Sequence, residues 1–169
     1  MMNEKLEKAF CVQINKELYS AYLYLAMQAY FKEINLDGFA NWMYVQVQEE
    51  LAHAMGMYNY VFERGGKVEL MSIEKPECSF NSPLNVFEEV LKHEKYVTSL
   101  INDLAFVAEE VRDRAAMSLL DWYIKEQVEE EANVSNVLGN LKLAQNDPRA
   151  LLLLDRELAT RTFVAPVIG

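Results

Sequence analysis

Four stretches of the chain carry apolar residues every three to four positions, the period of an α-helix with one buried face. From about Asn3 to Lys32 the stripe is Leu6, Phe10, Ile14, Ala21, Tyr24 and Phe31. After a short link, Glu33 to Leu36, the sequence places Asp37 as N-cap of a second helix. Its stripe of Phe39, Met43, Met57 and Val61 runs until Gly65-Gly66 stops it. Periodicity then lapses over about 18 residues, Gly65 to Ser82, with Pro76 among them. Ser82-Pro83 restores it as an N-cap followed by a proline at the first helical position, and Phe87, Leu91, Ile101 and Ala105 mark a third helix. The pattern breaks between Glu109 and Asp113 without a glycine, and Ala116, Leu120, Tyr123, Val134, Val137 and Leu141 define a fourth helix. Asp147-Pro148 repeats the capping signal and opens a short fifth helix, RALLLLDREL. The prediction is an all-α protein.

Link lengths set the topology. Short links join antiparallel neighbours, whereas a long one can run the length of a bundle. A second helix of about 27 residues is roughly 40 Å long, and the 18-residue link reaches roughly 60 Å when extended. Two hairpins joined by such a crossover make a four-helix bundle, and residues 1–169 are read as a single domain.

Each stripe is interrupted by polar residues at core-facing positions: Glu17 in the first helix, Gln46, Glu50 and His53 in the second, Glu94 and Thr98 in the third, Gln127 and Glu130 in the fourth. In an antiparallel hairpin, residues equidistant from the turn lie side by side. Glu17 pairs in this sense with Glu50 and His53 about the link at 33–36, and Glu94 pairs with Gln127 and Glu130 about the break at 109–113. Both polar sets therefore lie roughly 25 Å from their turns, at one level of the bundle. Burying several carboxylates together without a counter-charge costs many kcal/mol or forces protonation, so the layer calls for cations. The four glutamates carry a charge that two divalent ions cancel, and His53 and Gln127 add neutral donors. Oxygen donors with one imidazole suit iron, manganese or zinc, and the three-residue spacing of Glu50 and His53 lets both approach one metal while Glu50 bridges to a second.

Composition narrows the classes. The net charge of −10 and the absence of a basic patch argue against nucleic acid. The longest aliphatic run, Leu151 to Leu154, is far short of a bilayer span, so no membrane is expected. The start, MMNEKLEKAF, lacks the apolar core of a secretory signal, and a cytoplasmic location is expected. Cys11 and Cys78 form neither a zinc pattern nor a disulfide framework.

The segments NKELYSAYLYLAM, NWMYVQVQEELAHAM, FERGG, EQVEEE and LLLLDREL make the chain resemble the non-haem bacterial and archaeal ferritins over nearly its whole length. The resemblance implies a ferritin-like four-helix bundle with a long B–C crossover and a short fifth helix, and self-assembly into a hollow shell, expected at twenty-four subunits. It implies ferroxidase activity, with Fe(II) oxidised by dioxygen or hydrogen peroxide and stored as mineral. Glu17, Glu50 and His53 match the first iron site; Glu50, Glu94 and Glu130 match the second, with Gln127 beside them. Glu49, Glu126 and Glu129, together with Glu130, match a third iron site. Tyr24 matches the tyrosine beside the dinuclear centre, with a plain core tyrosine as the other reading. Bacterioferritins carry a second Glu-x-x-His where this chain has Gln127-x-x-Glu130, and a haem-ligating methionine at Leu51, so no haem is expected. His93, beside Glu94 in sequence, is assigned to a surface or an interface. An ungapped match to the acidic pore residues of animal ferritins falls on Met117 and Leu120, with Asp113 and Asp121 close by. A non-enzymatic metal-buffering shell and a di-iron peroxidase without storage remain open.

Overall fold

The computed structural model describes residues 2–168. Five helices follow in order: α1 Glu4–Glu33, α2 Asp37–Glu63, α3 Pro83–Glu110, α4 Arg114–Ala144 and α5 Pro148–Leu158. Helix α1 packs along α2, and α3 along α4; α1 also meets α3, and α5 closes over one end of the bundle against α2 and α4. The chain between Glu63 and Pro83 is irregular and lies against α1. Asn15 Nδ2 donates to the Met71 and Ser72 carbonyls, and the Lys67 amide donates to Glu7. Among the described residues no helix is long and apolar enough to cross a membrane.

Helix boundaries follow local chemistry. Asn3, Ser82, Asp113 and Asp147 each accept an amide hydrogen bond in the first turn of α1, α3, α4 and α5. The break before α4 needs no glycine because Arg112 itself takes the left-handed conformation, at φ 56°. Asp37 is not a cap. The N-cap of α2 is Leu36, which has no side-chain oxygen, and Asp37 is instead paired with Lys32 at 2.7 Å. The capping oxygen comes from α5: Asp155 Oδ1 accepts from the Gly38 and Phe39 amides at 2.8 and 3.0 Å.

One stripe is also displaced. In α3 the buried residues are Val86, Phe87, Val90, Glu94, Val97, Ile101, Leu104 and Ala108, so Val90 and Leu104 occupy the core where Leu91 and Ala105 were expected. With 3.6 residues per turn, a stripe can be continued by three or by four, and adjacent apolar pairs leave that choice open in the sequence. The other three stripes are buried throughout.

The core is divided. One apolar cluster gathers Phe31, Phe39, Trp42, Phe87, Val134 and Leu141 beneath α5; a second gathers Phe10, Ile14, Met57, Val61, Ile101 and Leu120 at the other end. The buried polar residues of all four long helices form a separate set, joining neither cluster.

Candidate metal centre

Helix α1 contributes Glu17, α2 Glu50 and His53, α3 Glu94, and α4 Gln127 and Glu130, all no more than 5% exposed. Glu17, Glu50 and His53 each present a donor atom within 4.8 Å of the others. A second group under the same limit is His53, Glu126 and Glu130, so the imidazole lies between two carboxylate sets. Its Nδ1 is 3.6 Å from Glu50 Oε2 and its Nε2 3.9 Å from Glu126 Oε1. Trp122 and Tyr123 pack edge-on against the ring, and Tyr123 donates to the His53 carbonyl at 2.8 Å. Glu94 is held from two sides, by the Tyr24 hydroxyl and by Gln127 Nε2 at 3.2 Å.

No lysine or arginine lies within ion-pair distance of Glu17, Glu50, Glu94 or Glu130 among the described residues. The consequence shows in proton affinity. Burial, then the neighbouring carboxylates Glu94, Glu17 and Glu130, push Glu50 well above the usual carboxylate range. Burial raises Glu94 to about 7 against hydrogen bonds from Tyr24 and Gln127, and burial with the charge of Glu94 raises Glu130 to about 8. Among the described residues three buried side-chain atoms have no hydrogen-bond partner: Glu17 Oε2, Gln46 Oε1 and His53 Nε2. Uncompensated carboxylates beside orphaned oxygen and imidazole donors fit divalent cations of intermediate hardness.

The remaining predicted ligands are more open. Glu126 and Glu49 are half-buried and Glu129 is exposed. Glu126 faces His53, whereas Glu49 lies against Arg161 of the C-terminal tail, at 2.7 Å. Burial raises both carboxyls, and the guanidinium partly offsets this for Glu49.

Two glutamines complete the layer without having been singled out in the sequence as site residues. Gln13 donates to Glu17 Oε1 at 2.7 Å, and Gln46 donates to Glu130 Oε2 at 3.0 Å. Gln46 stands in the α2 stripe and was legible there; Gln13 lies four residues before Glu17, one turn along the same face. His93 was expected at a surface or an interface, and not as a ligand. It is half-buried between α1 and α3, bonded to Ser20 Oγ at 2.8 Å and edge-on to Tyr24, and burial lowers it to about 4. Leu120 is fully buried and Met117 half-buried, while Asp113 forms a two-pronged pair with Arg64.

Residues 7–144 match the ferritin-like domain family. The chain is 37% identical over 161 residues to the bacterial non-heme ferritin of Bacteroides fragilis (strain 638R), covering 95% of this chain and all of that one. It is also 37% identical over 163 residues to the bacterial non-heme ferritin of Staphylococcus aureus (strain MRSA252), covering 96% and 98%. Among solved structures, the open-pore ferritin of the hyperthermophilic archaeon Archaeoglobus fulgidus superposes with a TM-score of 0.94 at 50% identity, over 95% of this chain and 98% of that one. A closed form of the same ferritin, engineered by site-directed mutagenesis, gives 0.96 at 49%, over 97% and 100%. With its bundle, crossover and fifth helix matched along nearly its whole length, the chain belongs to the ferritin family.

Proposed function

We propose that the protein is an iron-storage ferritin with ferroxidase activity, taking Fe(II) as substrate at the buried layer and assembling into a hollow shell in which Fe(III) is held as mineral. The observation that carries this reading is the coincidence of four buried glutamates with orphaned donor atoms and, among the described residues, no arginine or lysine partner. Glu17, Glu50 and His53 take one Fe(II); Glu50, Glu94 and Glu130 take the second, with Gln127 alongside. Two Fe(II) give one electron each to dioxygen, which with two protons leaves as hydrogen peroxide; peroxide in turn accepts two electrons from a further pair and, with two more protons, leaves as two waters.

The chain's own residues prepare that exchange. Glu50, Glu94 and Glu130, proton-rich in the metal-free protein, release protons as they accept metal. Tyr24 and Gln127 fix the Glu94 carboxylate, Gln13 fixes Glu17, and Gln46 fixes Glu130. Glu49, Glu126 and Glu129, with Glu130, form a third iron site toward the more open side of the layer.

Replacing Glu50 or His53 by Ala should slow aerobic Fe(II) oxidation, followed at the ferric-oxo absorbance, at least tenfold while the native assembly keeps its size; unchanged initial rates would sink the assignment. Glu129→Ala should instead lower the number of irons oxidised per subunit in the fast phase, with the first turnover retained. A shell that only buffers metal would bind Fe(II) without that absorbance, and a peroxidase without storage would size as a small oligomer.

A further inference from the structure

The chain leaves α5 and folds back along α2. Asn41 Nδ2 donates to the carbonyls of Leu158, Ala159 and Arg161, at 3.2, 3.4 and 2.9 Å, which fixes the first turn of the tail against the N-terminal half of α2. That anchoring delivers the Arg161 guanidinium to Glu49. One nitrogen lies 2.7 Å from Glu49 Oε2, the other donates to the Trp42 carbonyl at 3.3 Å, and the group stacks over the Trp42 ring at 4.5 Å from its centroid. Both side chains of the pair are about one-fifth exposed, 21% for Arg161 and 19% for Glu49. Among the described residues Arg161 is the one arginine or lysine within ion-pair distance of any proposed iron ligand. The carboxylate nearest to it is also absent from the group formed by His53, Glu126 and Glu130.

We propose that Arg161 is a tethered cation that holds Glu49 in the metal-free protein and competes with the third iron for it, so that filling the third site loosens the turn of the C-terminal tail that carries Arg161. This rests on the third-site reading above. A partly screened guanidinium, bonded, stacked and anchored, loses little entropy in holding its carboxylate. Glu49 lies outside the group of His53, Glu126 and Glu130, so a divalent ion shared with Glu126 and Glu130 draws its carboxylate away from the guanidinium. The third site is thereby weaker than the two buried ones, which suits a position through which iron passes, and its affinity is set by a residue that ligates nothing.

Calorimetric titration of the assembled, metal-free protein with Zn(II), a redox-inert divalent ion, tests this without turnover. Glu49→Gln should abolish the weakest class of sites; if it abolishes none, the third-site assignment fails, and the proposal with it. Given that loss, Arg161→Gln should keep the weak class and bind it about tenfold tighter, while Arg161→Lys, which retains the charge, should stay within about threefold of the unaltered protein. Weak-site affinity unchanged in Arg161→Gln overturns the competition. Should that variant not assemble, the unaltered protein answers through hydrogen exchange at the Thr160 and Arg161 amides, which are bonded to the Glu157 and Leu158 carbonyls. Exchange there should speed up at least threefold when the weak class fills, and exchange identical with and without Zn(II) overturns the loosening of that turn.

Discussion

At the residue scale, the layer's most consequential property is that its carboxyls are costly when charged and unmetallated. Glu50, Glu94 and Glu130 all have folded-state proton affinities above the ordinary value of 4.5, with Glu94 near 7 and Glu130 near 8. Between about pH 4.5 and 8 the folded, metal-free chain therefore holds more protons than the unfolded one, and its stability falls as pH rises through that window. Glu130→Gln removes one titrating group while keeping the shape and the acceptor oxygen. Metal-free Glu130→Gln should lose less melting temperature between pH 5.5 and pH 8 than the unaltered protein, and at pH 8 it should be the more stable of the two. Parallel melting curves across that range would mean that Glu130 ionises without penalty. On the proposed reading the same substitution should slow Fe(II) oxidation, one side chain trading resting stability for cation binding. These residues were legible because a carboxylate in an apolar stripe is an anomaly that needs no tertiary information. Arg161 was not: it lies outside any periodic stripe, in a tail, and its partner is more than one hundred residues away in sequence.

At the element scale, the same separation explains which helix ends could be read. Asn3, Ser82, Asp113 and Asp147 cap their own helices within three residues, which is a local pattern. The start of α2 is capped across the fold by Asp155, and no local pattern can show that. This junction positions α5, because Gly38 lies so close that a Cβ built there would sit 1.6 Å from the Asp155 carbonyl oxygen. Asp155→Ala should cost about 1–2 kcal/mol, the range for losing a cap, and lower the melting temperature by roughly 3–6 °C. Gly38→Ala should cost more, since backbone and not a flexible side chain must move. A Gly38→Ala protein that melts with or above the unaltered one would show that α5 shifts freely. The displaced stripe in α3 has another origin: Val90 beside Leu91 and Leu104 beside Ala105 are adjacent apolar pairs that both continue the helical period, and packing against α1 and α4 selects between them.

At the scale of the whole molecule, the chain leaves apolar surface that its own core does not use. Helix α5 buries Leu154 and Leu158 but turns Leu152 and Leu153 outward, 52% and 66% exposed, and Val164 and Val167 of the tail are 76% and 87% exposed. A short helix with apolar residues on both faces is one whose outer face another surface covers. The proposed shell supplies that surface through copies of the same chain, and closed assemblies repeat one contact many times. A charge at Leu153 would then be buried once per subunit without a partner. Leu153→Lys should accordingly leave the helical circular dichroism of the bundle intact while shifting the sedimentation profile from a large shell toward small oligomers. The buried polar layer takes its residues from the four long helices of one chain and none from α5. Such oligomers should therefore still oxidise Fe(II) in the first turnover, yet fail to keep the product soluble. Retention of a full-sized shell by Leu153→Lys would place the subunit contacts elsewhere on the bundle. Loss of the first turnover together with assembly would mean that the metal layer is not complete within one chain.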